Sequence, residues 1–295
     1  MQAGLDLAMA QYFASTLPNG SYLGNSFEYS LCLQSIALLR NLQGSAIETF
    51  KASHPNHSLR SDSLANSSFN WSTRFPFLKD PPRGSDPVLG ILLYVAQAAE
   101  VWQMARSFAA ATVSSEEAPP WSPQSEYSVI MLRLLEVDSL FPLRYRFARS
   151  NFSSTSLDTI QKHRDYWGAW FLVQFLHSAA AALANHPFLL SMRLKNYKRL
   201  MPQTFIHQSF DQIARHTGWI ICFIDLLAQK DFQLCDPTIA HCVAVVATIH
   251  LQHSFVEDDN LRGRAQRGYE KCMAFLKSMS KISPLANNMV SKARM

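Results

Sequence analysis

The chain has 295 residues, of which 48% are apolar and only 17% charged, so it can bury a full core in one large domain or two small ones. It has only 10 glycines and 14 prolines, and its long segments rich in Ala, Leu, Met and Gln predict an all-α fold. The net charge of +5 and the pI near 9.0 are compatible with a nuclear protein but too weak to indicate nucleic-acid binding by themselves.

The N-terminal part of the chain predicts two helices and then a change of character. The helices cover residues 3–14 and 27–50, and in the second one apolar positions repeat at intervals of three and four. Residues 51–85 are dominated by Ser, Asn and Pro, which predicts a long loop or insertion. Because residues 1–50 alone make a thin core, we expect them to form N-terminal helices of a main helical domain at 86–295.

The main helical domain is predicted to open with a helix at 86–112 and a Pro-ended linker at 114–120. A second helix is predicted to open at Ser122–Pro123 and to end before Pro142. The remaining predicted helices cover residues 157–184, 204–229, 236–254 and 259–280. The first of these four is apolar nearly all round, which is typical of a helix in the middle of a bundle.

The cysteines indicate the redox setting of the chain. There are five, at Cys32, Cys222, Cys235, Cys242 and Cys272. Their odd number and the lack of a CxxC pair favour buried reduced thiols in an intracellular protein over a disulfide framework or a structural zinc site.

Asn-x-Ser sequons occur at Asn19, Asn56, Asn66, Asn70 and Asn151, as chance allows in a Ser-rich chain. The start "MQAGLDLAMAQYFAS" lacks a basic n-region and an apolar h-region, so we expect no secretory signal.

The stretch "HCVAVVATIHLQHSF" at residues 241–255 brings three histidines into an apolar run. Its apolar part is about 14 residues long, against the roughly 20 that a bilayer span needs, so a membrane helix is rejected. His250 and His253 lie about 60° apart on a helix, whereas His241 lies on the other side. Without a carboxylate one turn away, two imidazoles make at most half a metal site, and packing or a helix-end role is the favoured interpretation.

The acidic run "VEDDNLRGR" has two interpretations. Glu257, Asp258 and Asp259 could hold magnesium, as Asp-rich stretches do in all-helical enzymes, but Arg262 occupies the position where a further carboxylate would help. The simpler interpretation is that Asp258 or Asp259 caps a helix beginning at Asn260.

The last predicted helix is amphipathic with one basic face, and a second cluster of basic residues lies at residues 193–199. Its apolar side carries Leu261, Ala265, Cys272, Leu276 and Met279, and another face carries Arg264, Arg267 and Lys271. The denser cluster "RLKNYKR" contains Arg193, Lys195, Lys198 and Arg199, and predicts either a solvated surface or a contact for nuclear import or an acidic partner. The chain contains no G-x-S-x-G, Walker or G-x-G-x-x-G motif, and we expect no enzyme.

The order of local patterns carries a family resemblance. Reading down the chain gives "APPWSPQSEY", "LFPLRYRF", "AALANHPFLLS", "CVAVVATIHLQHSF" and "RGYEKCMAFLKSMSKISPLANNM". This succession resembles the regulatory middle homology region of fungal zinc-cluster transcription factors. In that family a Pro-Trp start precedes a helix ending near Leu-Pro, another helix ends in a His/Arg-Pro-Phe turn, and the last helix carries Cys-x-x-Phe-Leu. The similarity covers about residues 86–290, and residues 1–50 only weakly.

The resemblance implies a multi-helix array of the fungal transcription factor regulatory domain type. It also implies nuclear localisation and control of RNA polymerase II transcription, often of a metabolic or secondary-metabolite gene cluster. The family's DNA-binding module needs six closely spaced cysteines around two zinc ions, and these 295 residues lack that pattern. No zinc ligand or DNA-contacting residue is therefore carried over, and zinc is expected only if an upstream module exists. The partners expected are other transcription regulators or a DNA-binding partner. A homodimer or a heterodimer is compatible with the resemblance, and no interaction with a membrane is expected.

We expect the regulatory core to lie on the apolar central helix and on the turn that follows it. Its predicted residues are Trp167, Trp170, Phe171, Phe175, His177, Pro187 and Phe188. They could line a pocket between helices, although ordinary core packing is the favoured interpretation. Two other functions stay open: a magnesium-dependent all-helical enzyme using Glu257–Asp259, and a scaffold that titrates another regulator without binding DNA.

Overall fold

The computed structural model describes residues 87–112, 118–197 and 200–281. Of these residues 81% are helical and none lies in a strand, which confirms the predicted all-α class. The predicted helices at 3–14 and 27–50 and the predicted loop at 51–85 lie outside the described residues.

The described residues form nine α-helices and three short 3-10 turns. The α-helices are α1 (Pro87–Ala110), α2 (Glu126–Leu140), α3 (Phe147–Ser150), α4 (Leu157–Lys162), α5 (Arg164–Ala184), α6 (Pro187–Leu194), α7 (Gln203–Gln229), α8 (Pro237–His253) and α9 (Asp259–Ser280). The 3-10 turns are Leu143–Tyr145, Phe152–Ser154 and Lys195–Tyr197. The predictions for α1, α7, α8 and α9 are confirmed to within a residue or two at each end.

The predicted start of α2 is wrong by a few residues. Ser122 and Pro123 lie in a turn, and the helix begins at Glu126. Ser125 is the N-cap because its hydroxyl oxygen accepts the backbone N–H of Ser128 at 3.1 Å. That cap, rather than the earlier serine and proline, fixes where the helix starts.

The predicted single helix at 157–184 is two helices, α4 and α5, separated at His163. The backbone of His163 leaves the helical region with φ −110° and ψ 38°. Residues 157–163 contain neither proline nor glycine, so the local sequence carries no ordinary break signal. The sequence also did not predict α6, although Pro187 at its first position is a common helix start.

Helix α5 lies in the middle of the bundle, as predicted. It contacts α1, α2, α7 and α8, while α9 covers α8 and part of α7. Its last six residues, Ala179–Ala184, are buried to 2% exposure or less at every position. Small side chains let neighbouring helices approach the α5 backbone closely, so a run of alanines suits a helix that is surrounded on all sides.

Helices α1 and α2 pack against each other in antiparallel directions. At one end the rings of Tyr94 and Phe141 meet at 5.1 Å in an edge-to-face contact. Near the middle Arg133 forms an ion pair with Glu100 at 3.0 Å. The N-terminal end of α1 therefore lies beside the C-terminal end of α2.

One stretch of the described residues, Arg164–Tyr197, is long and apolar enough to cross a membrane by length and composition alone. In the structure 72% of its most apolar window is buried inside the protein. Because the core helix of a helical bundle passes the same test, this stretch is weak evidence for a membrane span.

Two glycines in helices offer opposite tests of this packing. A Cβ at Gly90 would clash with the hydroxyl of Tyr145, whose ring is buried, whereas nothing lies within 4 Å of a Cβ at Gly218 in α7. We predict that Gly90→Ala lowers the free energy of unfolding by about 1–3 kcal/mol through overpacking. Gly218→Ala should raise it by about 0.5–1 kcal/mol because alanine favours the helix. Urea unfolding of both variants measures the difference, and equal effects would contradict the packing described for α1.

Candidate functional site

The turn between α5 and α6 is the most polar part of the buried interior. It consists of Asn185, His186, Pro187 and Phe188, all of which are buried, and we refer to these four residues as the Asn-His-Pro-Phe junction. Asn185 and His186 have no exposed surface at all. Because a buried polar side chain without partners costs free energy, the neighbouring helices must supply hydrogen bonds here.

Asn185 ties three helices together. Its Oδ1 accepts a hydrogen bond from the Tyr127 hydroxyl of α2 at 2.7 Å and another from the Ser209 hydroxyl of α7 at 2.9 Å. Its Nδ2 donates to the carbonyl oxygen of Ala181 at 2.9 Å. Since a carbonyl can only accept, the amide nitrogen must face Ala181, and this fixes the orientation of the side chain.

His186 joins the junction to α8 and starts α6. The hydroxyl of Thr248 donates to the carbonyl of Val245 at 2.7 Å, so it accepts from Nε2–H of His186 at 3.0 Å. The Nδ1 of His186 then accepts the backbone N–H of Phe188 at 3.3 Å, which caps α6. His186 is therefore the neutral Nε2–H tautomer, and burial, reinforced by His253, lowers its pKa to about 3.

A second histidine pair lies between α5 and α7. The rings of His177 and His216 are 5.7 Å apart, and Nε2 of His177 lies 3.4 Å from the carbonyl oxygen of Leu134. Burial lowers the pKa of both, that of His216 to about 3, and His177 and Arg215 add to the effect on His216. This pair too is held neutral near pH 7.

The three histidines of α8 lie at different places in the bundle. His250 packs against α9, where its ring would lie 2.7 Å from a Cβ at Gly268, and this confirms the packing interpretation for that residue. Burial lowers the pKa of His241, His250 and His253 to about 4 in each case, and Arg106 adds to the effect on His241. In the described part of the chain no three His, Cys, Asp or Glu side chains are grouped so that they could hold a metal ion.

The seven residues of the predicted regulatory core lie in three different parts of the structure. Trp167, Trp170, Phe171 and Phe175 follow one another along α5 in a single ring cluster, with centroid separations of 5.9, 5.0 and 6.5 Å. This cluster continues through other rings, and the Nε1–H of Trp170 donates to the carbonyl of Tyr145 at 2.6 Å. These rings pack against each other, as the favoured interpretation held.

The other three predicted residues lie apart from that cluster. Pro187 and Phe188 belong to the Asn-His-Pro-Phe junction, where the ring of Phe188 stacks on His186 at 5.8 Å. His177 belongs to the histidine pair. Sequence reasoning chose the turn but missed Asn185 and His186, the two residues that carry its hydrogen bonds. The buried polar pair directly before a helix-starting proline was the available signal.

One member of the basic cluster at 193–199 is not on the surface. Arg193 is 5% exposed, and its guanidinium lies 3.8 Å from the ring centroid of Phe108 in α1. The prediction of a solvated or partner-binding surface is therefore wrong for Arg193, because this residue packs α6 against α1. Lys195 is exposed, and Lys198 and Arg199 lie outside the described residues.

The acidic run caps α9 in the way that the simpler interpretation predicted. Asp258 is the N-cap and accepts the backbone N–H of Leu261 at 2.9 Å, and the helix begins at Asp259. The carboxylate of Asp259 pairs with Arg262. The apolar side of α9 is confirmed for Ala265, Cys272, Leu276 and Met279, whereas Leu261 is exposed.

The described cysteines are all free thiols. Cys242 and Cys272 are buried, as predicted, and burial raises the pKa of each thiol. Cys222 is half-buried and Cys235 is exposed, so the prediction of burial is wrong for Cys235. Cys32 lies outside the described residues.

No family model, curated protein or solved structure matches this chain. The resemblance to the fungal regulatory domain therefore stays a prediction, and its detailed fold type with it.

The two hydroxyls on Asn185 allow a test by double-mutant cycle. We predict that Tyr127→Phe and Ser209→Ala each lower the free energy of unfolding by about 0.5–1.5 kcal/mol, because one donor remains in each variant. Together they leave Oδ1 buried without a partner, so the double variant should lose about 1 kcal/mol more than the sum. Urea unfolding of the four proteins measures this coupling, and additive losses would contradict the shared acceptor.

The neutral His186 makes folding sensitive to acid. Above pH 6.5 both folded and unfolded chains hold it neutral, but below that pH only the unfolded chain takes up the proton. The free energy of unfolding should therefore fall as pH falls, by about 2 kcal/mol at about pH 5 from this residue alone.

Unfolding measured between pH 7.5 and 5 tests this, because His186→Gln removes the titrating group and should flatten the pH dependence by up to about one proton. The exposed His207 supplies a substitution control, since His207→Gln makes the same change of residue type away from the junction. The assignment would fail if the native protein and His186→Gln had the same slope.

Proposed function

We propose that this protein is a regulator of RNA polymerase II transcription in a fungus, acting in the nucleus through its helical regulatory domain. The targets proposed are genes of a metabolic cluster, secondary-metabolite clusters included. The observation that carries the proposal is the order of the five sequence patterns between about residues 86 and 290, which resembles the regulatory middle homology region of zinc-cluster transcription factors. The all-α class of the described residues is compatible with that region.

The pattern "AALANHPFLLS" supports the proposal beyond its place in the order. In the structure it spans the end of α5, the Asn-His-Pro-Phe junction and the start of α6. Hydrogen bonds from this segment reach α2, α7 and α8. A family pattern at the point where several helices meet is what a domain that works through packing and partner surfaces would need.

The chemistry of the described interior is compatible with a domain that works through packing. The buried histidines are neutral, the two fully buried thiols have raised pKa values, and Asp258 is engaged as a helix cap. A thiol nucleophile would instead need a lowered pKa and open access. The proposed partners are other transcription regulators or a DNA-binding protein that supplies the promoter address.

A reporter assay tests the proposal. We predict that residues 1–295, fused to an unrelated DNA-binding module, change reporter transcription several-fold relative to the module alone under at least one growth condition. The Tyr127→Phe/Ser209→Ala variant should weaken that effect, because it loosens the junction. Reporter output equal to that of the module alone under all conditions would contradict the proposal.

Asp258→Asn/Asp259→Asn is the matched control for the enzyme alternative. Asparagine caps a helix about as well as aspartate, so this variant should keep α9 and the reporter effect. If the effect were lost while folding was unchanged, the acidic run would have a chemical role that the cap does not explain.

A further inference from the structure

Helix α2 is apolar on two sides, but the described residues cover only one of them. Its inner side buries Tyr127, Ile130, Leu134 and Val137 against the bundle. Its outer side carries Leu140 near the end of the helix, the polar residues Ser128, Glu136 and Ser139, and an exposed apolar row of three side chains, Val129, Leu132 and Leu135, which are 45%, 57% and 63% exposed. We call these three residues the outer face of α2. A helix that is apolar on both sides is normally buried on both.

A single exposed leucine needs no explanation, but this face is a row. Its members recur every three residues, so they lie next to one another along the helix. Around the helix Glu136 lies between Val129 and Leu132, but it forms an ion pair with Arg133, which also pairs with Glu100 of α1. With these charges already satisfied, the face offers mainly apolar contact to whatever covers it.

The sequence outside the described residues contains a matching element. Residues 27–50 predict an amphipathic helix: Cys32, Ile36 and Leu39 fall within about 60° of each other, and Asn41 and Glu48 fall roughly opposite. Such a helix must bury its apolar side against another apolar surface. It would be longer than α2, so it could cover the whole outer face.

The covalent connection to α1 favours residues 27–50 over a separate molecule as the element that covers the outer face. The described chain starts at α1, whose N-terminal end lies beside the C-terminal end of α2 through the Tyr94–Phe141 contact. Residues 51–86 can reach along all of α2, which is about 22 Å long. A tether of this kind gives an effective concentration of about a millimolar, which a second copy of the chain would have to exceed.

We propose that the outer face of α2 is the docking surface for residues 27–50 of the same chain. This contact gives residues 1–50 their place in the main helical domain, and it does not depend on the proposed function. The apolar side of the segment covers Val129, Leu132 and Leu135, with Cys32 near the centre of the contact.

Cross-linking in the full chain tests the contact. The accessible thiols Cys222 and Cys235 are replaced by serine, Cys32 is kept, and Leu132→Cys is introduced. A short bifunctional maleimide should then give an intrachain link between residues 32 and 132, identified by mass spectrometry. The matched control is Leu157→Cys on α4, because Leu157 is 51% exposed and the thiol there should link to Cys32 at least about tenfold less.

The other outcomes would overturn the proposal. A link between two chains through residue 132 would show that a second copy occupies the face. Equal yields at positions 132 and 157 would show that the segment does not dock on α2.

Hydrogen exchange gives an independent measurement without new cysteines. Leu132→Glu should raise the exchange rate of residues 27–50 by about tenfold while the exchange of α5 stays the same, because the changed side chain lies on the exposed side of α2. Leu157→Glu should leave residues 27–50 unchanged. Unchanged exchange of that segment in the Leu132→Glu variant would also overturn the proposal.

Discussion

The buried turn after α5 constrains the rest of the fold. Asn185 and His186 bring polar side chains into an interior that water does not reach, and each needs partners from other helices. Tyr127 and Thr248 supply hydroxyls from helices far away in sequence. Apolar packing could tolerate small changes of helix register, but these hydrogen bonds could not, so they select one arrangement of helices among the many that bury similar area.

The aromatic cluster of α5 and the polar junction have different roles in the bundle. The rings around Trp170 and Phe171 supply apolar burial. Its stabilising free energy is large and depends little on the direction of the contacts. The junction adds little net stability, since hydrogen bonds made on folding replace hydrogen bonds to water. Its contribution is specificity, and it makes the fold sensitive to protonation, because a proton on Nδ1 of His186 would remove the acceptor for Phe188.

Features that depend on local rules could be predicted from the sequence, and features that depend on distant partners could not. The cap at Asp258 and the central position of α5 follow from neighbouring residues. In the sequence Arg193 belongs to a basic cluster that predicts an exposed surface. Its burial depends on contact with the ring of Phe108, 85 residues earlier, and no local pattern indicates that contact. The role of Asn185 is hidden in the same way, because its partners lie 58 and 24 residues away. The kink at His163 has no local signal at all.

Helix α2 connects the Asn-His-Pro-Phe junction with the outer face. Tyr127 on its inner side donates to Asn185 at 2.7 Å, while Leu132, little more than one turn later, lies on its outer face. A helix of 15 residues moves as a rigid body more easily than it bends. A hydrogen bond weakens steeply as its geometry departs from the ideal, so a shift of α2 by about 1 Å would be felt at the junction. The proposed occupation of the outer face would thus act on the buried turn through one rigid element, which is the kind of physical link that the proposed regulatory function requires.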